Sequence, residues 1–145
     1  MVRGIPRGLI DMLRGVSLFW NCSAAELREI ATLGTQVNIP AGHTLTKQGE
    51  PGSEFFLVVE GRASCFIDGK KVATFGPGEY FGELALLSRV PRSATIVADT
   101  DMEVLVLSVR EFATLLNDNP RVSKKMLERL AERIRVLETS QSHSH

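Results

Sequence analysis

Hydrophobic positions recur at helical spacing near the two ends of the chain and at strand spacing between them. From Pro6 to about Leu33 the apolar residues lie three or four positions apart, and this period returns after Ser108. The run from Ser23 to Glu26 is typical of a capping box, in which the serine and glutamate side chains each accept from the other residue's amide. The pattern predicts N-terminal helices over 6–33, one of them beginning near Ser23, and C-terminal helices over 109–138.

The middle of the chain, 35–108, consists of short β-rich runs separated by glycine and proline. Asp68-Gly69 separates two of these runs, and Asp-Gly favours a type I′ hairpin because both central residues of that turn need a positive φ. Many short strands at this spacing predict an antiparallel β-roll or jelly-roll, so the fold class is mainly β with flanking helices. The predicted strands are 37–39, 55–59, 63–67, 71–75, 95–98 and 103–107.

Length and composition indicate a single domain over 1–138, followed by a polar tail at 139–145 that is expected to be disordered. Hydrophobic residues make up 43% of the 145 positions, enough for a real core. Seventeen basic and seventeen acidic residues cancel, so charge does not point to a nucleic-acid partner.

Cellular context follows from features that the sequence lacks. No run of eighteen apolar residues predicts a membrane span, and the N-terminus has no signal-peptide pattern. Cys22 and Cys65 lie far apart in sequence and make no metal-ligand or redox pair. Two reduced thiols in a cytoplasmic protein are therefore expected, although one disulfide between them is conceivable.

The run from Phe81 to Thr95 carries the most chemistry. Gly76, Gly78 and Gly82 leave backbone groups bare, so a ligand can approach them closely. The residues from Glu83 to Leu87 favour helix, and the first turn of a helix offers unpaired N–H groups to an anion. Arg92 adds a planar charged fork that suits phosphate oxygens. Glu83 would repel phosphate, so a sugar hydroxyl is its natural partner.

Each of these features also has an ordinary structural explanation. Glu83 and Arg92 could form a surface ion pair contributing about 0–1 kcal/mol, and the glycines could serve tight turns alone. Taken together, in this order and spacing, they favour a site for a phosphate and a ribose.

The two halves of this run resemble the phosphate-binding cassette of the cyclic-nucleotide-binding domain family. They are Gly82-Glu-Leu-Ala-Leu-Leu and Pro91-Arg-Ser-Ala-Thr95, with the arginine nine positions after the first glutamate. The family includes the catabolite activator protein, the regulatory subunits of cyclic-AMP-dependent kinase and the cytoplasmic domains of cyclic-nucleotide-gated channels. The resemblance extends over nearly the whole chain and implies a nucleotide-binding β-roll with C-terminal hinge and lid helices.

The resemblance also implies a role for each cassette residue. Glu83 and the Gly82 amide would hold the ribose 2′-hydroxyl, and Arg92 would pair with a phosphate oxygen. The amides of Ala85 and Ser93, with the Ser93 hydroxyl, would complete the phosphate cradle. The predicted ligand-binding residues in the cassette are Gly82, Glu83, Leu84, Ala85, Arg92, Ser93 and Ala94.

Four residues outside the cassette are predicted to lie near the base. By match to the family, Arg133 on the last helix would stack on the purine, although a solvated helix face is its ordinary explanation. Cys65 would face the base, with Ala73 from the facing hairpin strand and Tyr80 nearby. A cysteine buried in the core is the alternative for Cys65.

The expected function is a cytoplasmic sensor or regulatory domain without a catalytic site, a metal or a cofactor. Its ligand would be cyclic AMP, with cyclic GMP as the alternative, because a hydroxyl at Ser93 occurs in binders of both. An unknown effector protein or domain, and a monomer or weak homodimer, are expected. Two alternatives are a degenerate β-roll used only for protein contacts and, less favoured, a cupin-type metal enzyme, for which His43 is the single histidine outside the tail.

Overall fold

Helices and strands divide the chain much as the hydrophobic pattern predicts. The computed structural model describes residues 7–16, 19, 22–82, 91–125, 127–128, 131–132 and 135. Helices α1, α2 and α3 span Arg7–Arg14, Ala24–Leu33 and Val109–Asp118, and helical backbone continues at 120–125. The strands are β1 Thr35–Ile39, β2 Thr44–Thr46, β3 Glu54–Glu60, β4 Ala63–Ile67, β5 Lys70–Phe75, β6 Tyr80–Phe81, β7 Thr95–Ala98 and β8 Met102–Ser108.

The strands form two four-stranded antiparallel sheets, so the predicted β-roll with flanking helices is confirmed. One sheet has the order β1-β8-β3-β6 and the other has the order β2-β7-β4-β5. The long strands β3 and β8 lie side by side in the first sheet, with Phe56 opposite Val106. In the second sheet β4 lies between β5 and β7 and pairs with both.

Strand β3 is buried on both faces because the helices cover one side of its sheet and the second sheet covers the other. Successive strand residues point to opposite faces. Phe55 and Leu57 therefore pack in a helix-side core, whereas Phe56 and Val58 pack in an inter-sheet core. The helix-side core also contains Leu13, Leu27, Ile30, Tyr80, Leu105, Leu107, Phe112 and Leu115. The inter-sheet core also contains Ala63, Cys65, Phe81, Ala94, Ile96, Ala98, Met102 and Val104.

The start of α2 confirms the predicted capping box. The Ser23 amide donates to the Glu26 carboxylate at 2.8 Å, and the Glu26 amide donates to the Ser23 hydroxyl at 3.1 Å. The first of these bonds lowers the pKa of the Glu26 carboxyl. Helix α3 begins with a second capping box, which is built from Ser108 and Glu111 and was not predicted.

The hairpin between β4 and β5 has the predicted turn. Asp68 and Gly69 both have positive φ, at 52° and 80°. Strands β2 and β6 were not predicted, because runs of two and three residues beside glycine turns give no readable alternation. Within β2, Thr46 is buried and its hydroxyl donates to the carbonyl of Ala94.

The junction after α3 is packed into the protein. The side-chain and backbone N–H groups of Asn119 both donate to the carbonyl of Leu115, at 3.0 Å, and only 3% of Asn119 is exposed. The amide of Val122 donates to the Asn119 carbonyl, which joins α3 to the following helical turn. The hinge expected at this junction stays a prediction, and the tail at 139–145 lies outside the described residues. In the part of the chain that the structure describes, no helix has the length and apolar character needed to cross a membrane.

Gly61, in the turn between β3 and β4, provides a test of the fold. Its φ is +88°, and a Cβ there would collide with the carbonyl of Asp101 and lie 2.9 Å from the Cα of Met102. Gly42 has the same φ but open space around it. We expect Gly42→Ala to lower the free energy of unfolding by about 1–2 kcal/mol through backbone strain alone. We expect Gly61→Ala to cost at least about 1 kcal/mol more, because the backbone must also shift.

Urea denaturation of the two variants and the wild-type protein measures this difference. Equal losses for Gly61→Ala and Gly42→Ala would show that the turn accommodates the extra carbon and that its close approach to β8 does not constrain the fold.

Candidate functional site

Arg92 is held by backbone and side-chain contacts just before β7. Its amide donates to the carbonyl of Glu50, and its carbonyl accepts from the amide of Gly49, both at 2.9 Å. Its side chain reaches the start of β3, where Nη2 donates to the carbonyl of Glu54 at 3.0 Å. The guanidinium carbon lies 5.9 Å from the centre of the Phe56 ring. These contacts fix the direction of the guanidinium.

Two glycines provide the space that the Arg92 side chain occupies. A Cβ on Gly52 would collide with Nε of Arg92. Gly82 has a φ of +92°, and a Cβ on it would lie 2.5 Å from the carbonyl oxygen of Glu54 and 3.1 Å from Nη1 of Arg92. Gly82 therefore needs glycine for both conformation and close approach, whereas a side chain at position 52 would displace the Arg92 side chain from its observed path.

Partial burial shapes the electrostatics of the guanidinium. Burial lowers the pKa of Arg92, and the negative charge of Glu54 opposes that effect. An arginine keeps its proton in either case. The result is a cation that has already lost part of its hydration and that, among the described residues, uses one donor in the bond to the Glu54 carbonyl. An anion that reaches it gains a charge-assisted, potentially bidentate bond.

The residues after Arg92 and the facing hairpin lie close to the same core. Ser93 is exposed, and Ala94 is buried in the inter-sheet core together with Cys65. Cys65 pairs directly with Ala73 on β5 and with Ile96 on β7. Directly paired residues share a face of the sheet, so Ala73 lies on the same face as Cys65, although Ala73 itself is exposed.

Tyr80 does not join this group. It pairs with Leu57, and its ring packs against Phe55 with the ring centres 5.5 Å apart, inside the helix-side core. Strand alternation sends its neighbour Phe81 to the inter-sheet core, where Cys65 lies, and the role of Tyr80 beside a ligand stays a prediction. Phe81 stacks on Phe56 at 5.0 Å.

Several predicted site residues lie outside the described residues. They are Glu83, Leu84 and Ala85 of the cassette, together with Arg133. Their roles stay predictions. Among the described residues, the structure brings together Gly82, Arg92, Ala94 and Cys65 around Phe56 and the inter-sheet core, with Ala73 on the same sheet face.

Sequence reasoning missed the residues that surround the arginine. Phe56 and Phe81 are apolar strand residues, and their sequence context does not distinguish the site side from the helix side. Gly52 lies in a glycine- and proline-containing turn, and its sequence context does not indicate its contact with Arg92. The Glu54 contact is made by a backbone oxygen, so the residue type at position 54 does not indicate it. The one available clue was the position of Phe81 directly before Gly82.

The described residues do not supply a metal site. Nowhere in the described ranges do three His, Cys, Asp or Glu side chains come close enough to hold a metal ion. His43 is exposed. The described residues therefore offer no positive support for the cupin-type alternative.

Comparison with known proteins identifies the family. The family model described as "Cyclic nucleotide-binding domain" matches residues 36–119, which include the whole β-roll from Gln36 onward and helix α3. The chain belongs to the cyclic nucleotide-binding domain family. The segment that contains Arg92 lies inside the match, and the family is defined by binding and not by a reaction.

Relatives and solved structures agree with this assignment. A cAMP-dependent protein kinase regulatory subunit from Colletotrichum orbiculare is 43% identical over 73% of this chain and 28% of its own length. The catabolite activator protein of Thermus thermophilus superposes with a TM-score of 0.83 at 30% identity, over 87% of this chain and 62% of that one. A structure described as cAMP-bound PfPKA-R (141–441) has a TM-score of 0.77 at 31% identity, over 92% of this chain and 46% of that one.

The chain spans about a third or less of the length of the curated relatives that it matches most strongly. What those whole proteins do therefore goes beyond what this chain shares with them.

The two cysteines allow the position of the base to be tested. Both are buried, and burial raises the pKa of both thiols, so alkylation needs mildly alkaline solution to supply thiolate. Cys65 lies in the inter-sheet core and Cys22 in the helix-side core. We expect bound cyclic nucleotide to slow alkylation of Cys65 by a small reagent and to leave Cys22 unchanged, as measured by peptide mass spectrometry.

The comparison between the two thiols separates shielding from a general effect. Equal protection of Cys22 and Cys65 would indicate overall tightening of the protein. A Cys65 that is inert both with and without nucleotide would be a core residue with no part in the site.

Proposed function

We propose that this chain binds a 3′,5′-cyclic nucleotide, cyclic AMP, and acts as a sensor or regulatory domain without a catalytic step of its own. The observation that carries the proposal is the Arg92 guanidinium, half-buried and oriented between Gly52 and Gly82 within the matched domain. A cyclic phosphodiester has a single negative charge and two exocyclic oxygens, which suit one planar fork.

Preorganisation is the physical advantage of this arrangement. The Glu54 carbonyl, the Phe56 ring and the two backbone bonds at Arg92 hold the side chain before any ligand arrives. Less side-chain entropy is then lost on binding. Because part of the desolvation cost has been met during folding, the pairing with phosphate is worth more than an exposed ion pair of about 0–1 kcal/mol.

The ribose and the remaining phosphate contacts are proposed from the cassette. Glu83 and the Gly82 amide would hold the 2′-hydroxyl, and the amides of Ala85 and Ser93 would contact the phosphate, with Leu84 and Ala94 beside them. The position of Gly82 supports this, since its positive φ ends β6 directly beside the Arg92 guanidinium. The exposure of Ser93 leaves its hydroxyl accessible to a ligand.

The base would lie along the face that carries Cys65 and Ala73, with Arg133 as the proposed cap. Cyclic AMP is favoured over cyclic GMP because a similar structure is described as cAMP-bound and a similar sequence is a cAMP-dependent kinase regulatory subunit. Ser93 is the residue through which guanine could still be accepted.

The cellular setting is proposed on the same basis. Two buried thiols in separate cores suit a reducing compartment such as the cytoplasm. The effector would be another protein or another domain, as the name of the kinase relative suggests. We propose no nucleic-acid or membrane contact through this chain, whose formal net charge is zero, and a monomer or weak homodimer.

Arg92 variants test the phosphate contact. We expect Arg92→Ala and Arg92→Lys to weaken binding of cyclic AMP by roughly 2–5 kcal/mol, the range for removing one side of a buried charge pair. Lysine should not rescue binding, because a point charge cannot reproduce the planar fork. Titration calorimetry with cyclic AMP and cyclic GMP gives the affinities, and thermal melting shows whether each variant is folded.

Arg110→Ala is the matched control, since Arg110 is exposed on α3. It should bind like the wild-type protein. Near-normal affinity in both Arg92 variants would refute the phosphate assignment. Failure of the wild-type protein to bind either nucleotide would favour a degenerate β-roll that serves protein contacts.

A Glu83 variant tests the ribose contact separately. Glu83→Gln replaces the carboxylate that would accept a hydrogen bond from the 2′-hydroxyl with a neutral amide. A hydrogen bond to a charged group contributes about 1.5–3 kcal/mol. We therefore expect the variant to weaken binding of cyclic AMP by more than it weakens binding of the 2′-deoxy analogue. The same calorimetric titration with both ligands measures the difference, and equal losses would mean that Glu83 does not contact the 2′-hydroxyl.

A further inference from the structure

Gln48 forms a two-point hydrogen-bonded clamp to the tip of the β4–β5 hairpin. Its Nε2 donates to the carboxylate of Asp68 at 3.0 Å, and its Oε1 accepts from the amide of Asp68 at 2.9 Å. Its own amide donates to the Thr95 hydroxyl at the start of β7, at 3.0 Å. The side-chain amide of Gln48 thus bonds both a donor and an acceptor of Asp68, which lies twenty positions later in the chain.

The two ends of this clamp belong to different walls of the proposed site. Asp68 begins the turn that joins the strand of Cys65 to the strand of Ala73. Gly49 and Glu50, directly after Gln48, make the two backbone hydrogen bonds to Arg92. A single side chain therefore connects the base-side hairpin to the loop that holds the phosphate-binding arginine.

Gln48 adds two hydrogen bonds to a hairpin tip whose conformation the Asp68-Gly69 sequence already favours. Asp68 is the one residue besides glycine with a positive φ among the described residues, at 52°. Asp adopts this conformation more readily than most residues with a side chain, and the two bonds from Gln48 hold it there. The bonds also fix the tip relative to the 47–53 loop, because both form only when donor and acceptor are in register.

We propose that Gln48 is a positioning residue of the nucleotide site, which sets the distance between the wall that faces the base and the arginine that faces the phosphate. This inference rests on the proposed function. In the clamped state both walls are preformed for one ligand. When the clamp is released, only a fraction of molecules has both walls in place, and the apparent dissociation constant rises by the inverse of that fraction.

The donor and acceptor of the hydrogen bond between the Gln48 and Asp68 side chains can be exchanged by substitution. Gln48→Glu removes the donor and sets two carboxylates against each other, so we expect cyclic AMP to bind on the order of tenfold more weakly. Asp68→Asn alone keeps an acceptor for Gln48, and asparagine tolerates a positive φ, so its affinity should stay close to that of the wild-type protein. In the double variant the introduced carboxylate can accept from both the introduced amide and the backbone N–H, and affinity should return.

Gln36→Glu is the matched control. Gln36 donates to the carboxylate of Glu103 at 2.9 Å across β1 and β8, an exposed pair away from Arg92. This substitution creates the same carboxylate pair and a comparable loss of thermal stability, but the affinity for cyclic AMP should not change. Titration calorimetry and thermal melting are run on all five proteins, the wild-type included.

The outcomes separate the clamp from the function on which it rests. Binding by the wild-type protein with unchanged affinity in Gln48→Glu would overturn the clamp and leave the proposed function standing. The same holds if Gln36→Glu weakens binding as much as Gln48→Glu does, or if the double variant fails to recover. No binding by the wild-type protein would overturn the proposed function itself.

If Gln48→Glu does not fold, Gln48→Ala takes its place. That change removes both bonds without adding charge, and it should weaken binding in the same direction by a smaller factor. Wild-type affinity in a folded Gln48→Ala protein would overturn the clamp.

Discussion

The structure depends on the burial of β3 on both of its faces. Phe55 and Leu57 are fully buried toward the helices, and Val58 is fully buried toward the second sheet. Each such side chain contributes about 1.5–3 kcal/mol when it leaves water. Because the helix-side core and the inter-sheet core share this strand, neither could shift without disturbing the other. The strand is therefore a fixed reference for whatever is attached to its ends, and its first residue, Glu54, provides the carbonyl that holds Arg92.

The candidate site uses that rigidity to orient a partly dehydrated cation. A half-buried arginine is costly unless its donors are satisfied, and here one donor is taken by the β3 backbone while the guanidinium lies over Phe56. Gly52 and Gly82 leave the space that this path requires. Folding therefore holds the Arg92 guanidinium in place before an anion binds. An anion that binds here would meet a guanidinium whose orientation is already set.

The loop from Lys47 to Ser53 makes hydrogen bonds to three separate parts of the protein. It pairs with the Arg92 backbone, it contacts the hairpin tip through Gln48, and the Ser53 carbonyl accepts from the amide of Val109 at the start of α3. The loop thus contacts Arg92, the tip of the β4–β5 hairpin and the start of α3 within seven residues. A displacement of Arg92 would therefore be transmitted through this loop to the hairpin and to α3.

The sequence by itself determined the β-roll, the positions of its longer strands along the chain, the Ser23 capping box and the Asp68-Gly69 turn, because these depend on local periodicity and on the φ preferences of single residues. It also indicated Arg92, because the spacing from Glu83 to Arg92 resembles that of the family's cassette. It did not determine which core each residue of β6 enters: Tyr80 lies in the helix-side core, and Phe81 lies in the inter-sheet core with Cys65. It gave no sign of the Gly52 and Glu54 contacts or of the Gln48 clamp. Those depend on backbone atoms and on residues brought together across the sheets, and only the tertiary structure decides which distant groups meet.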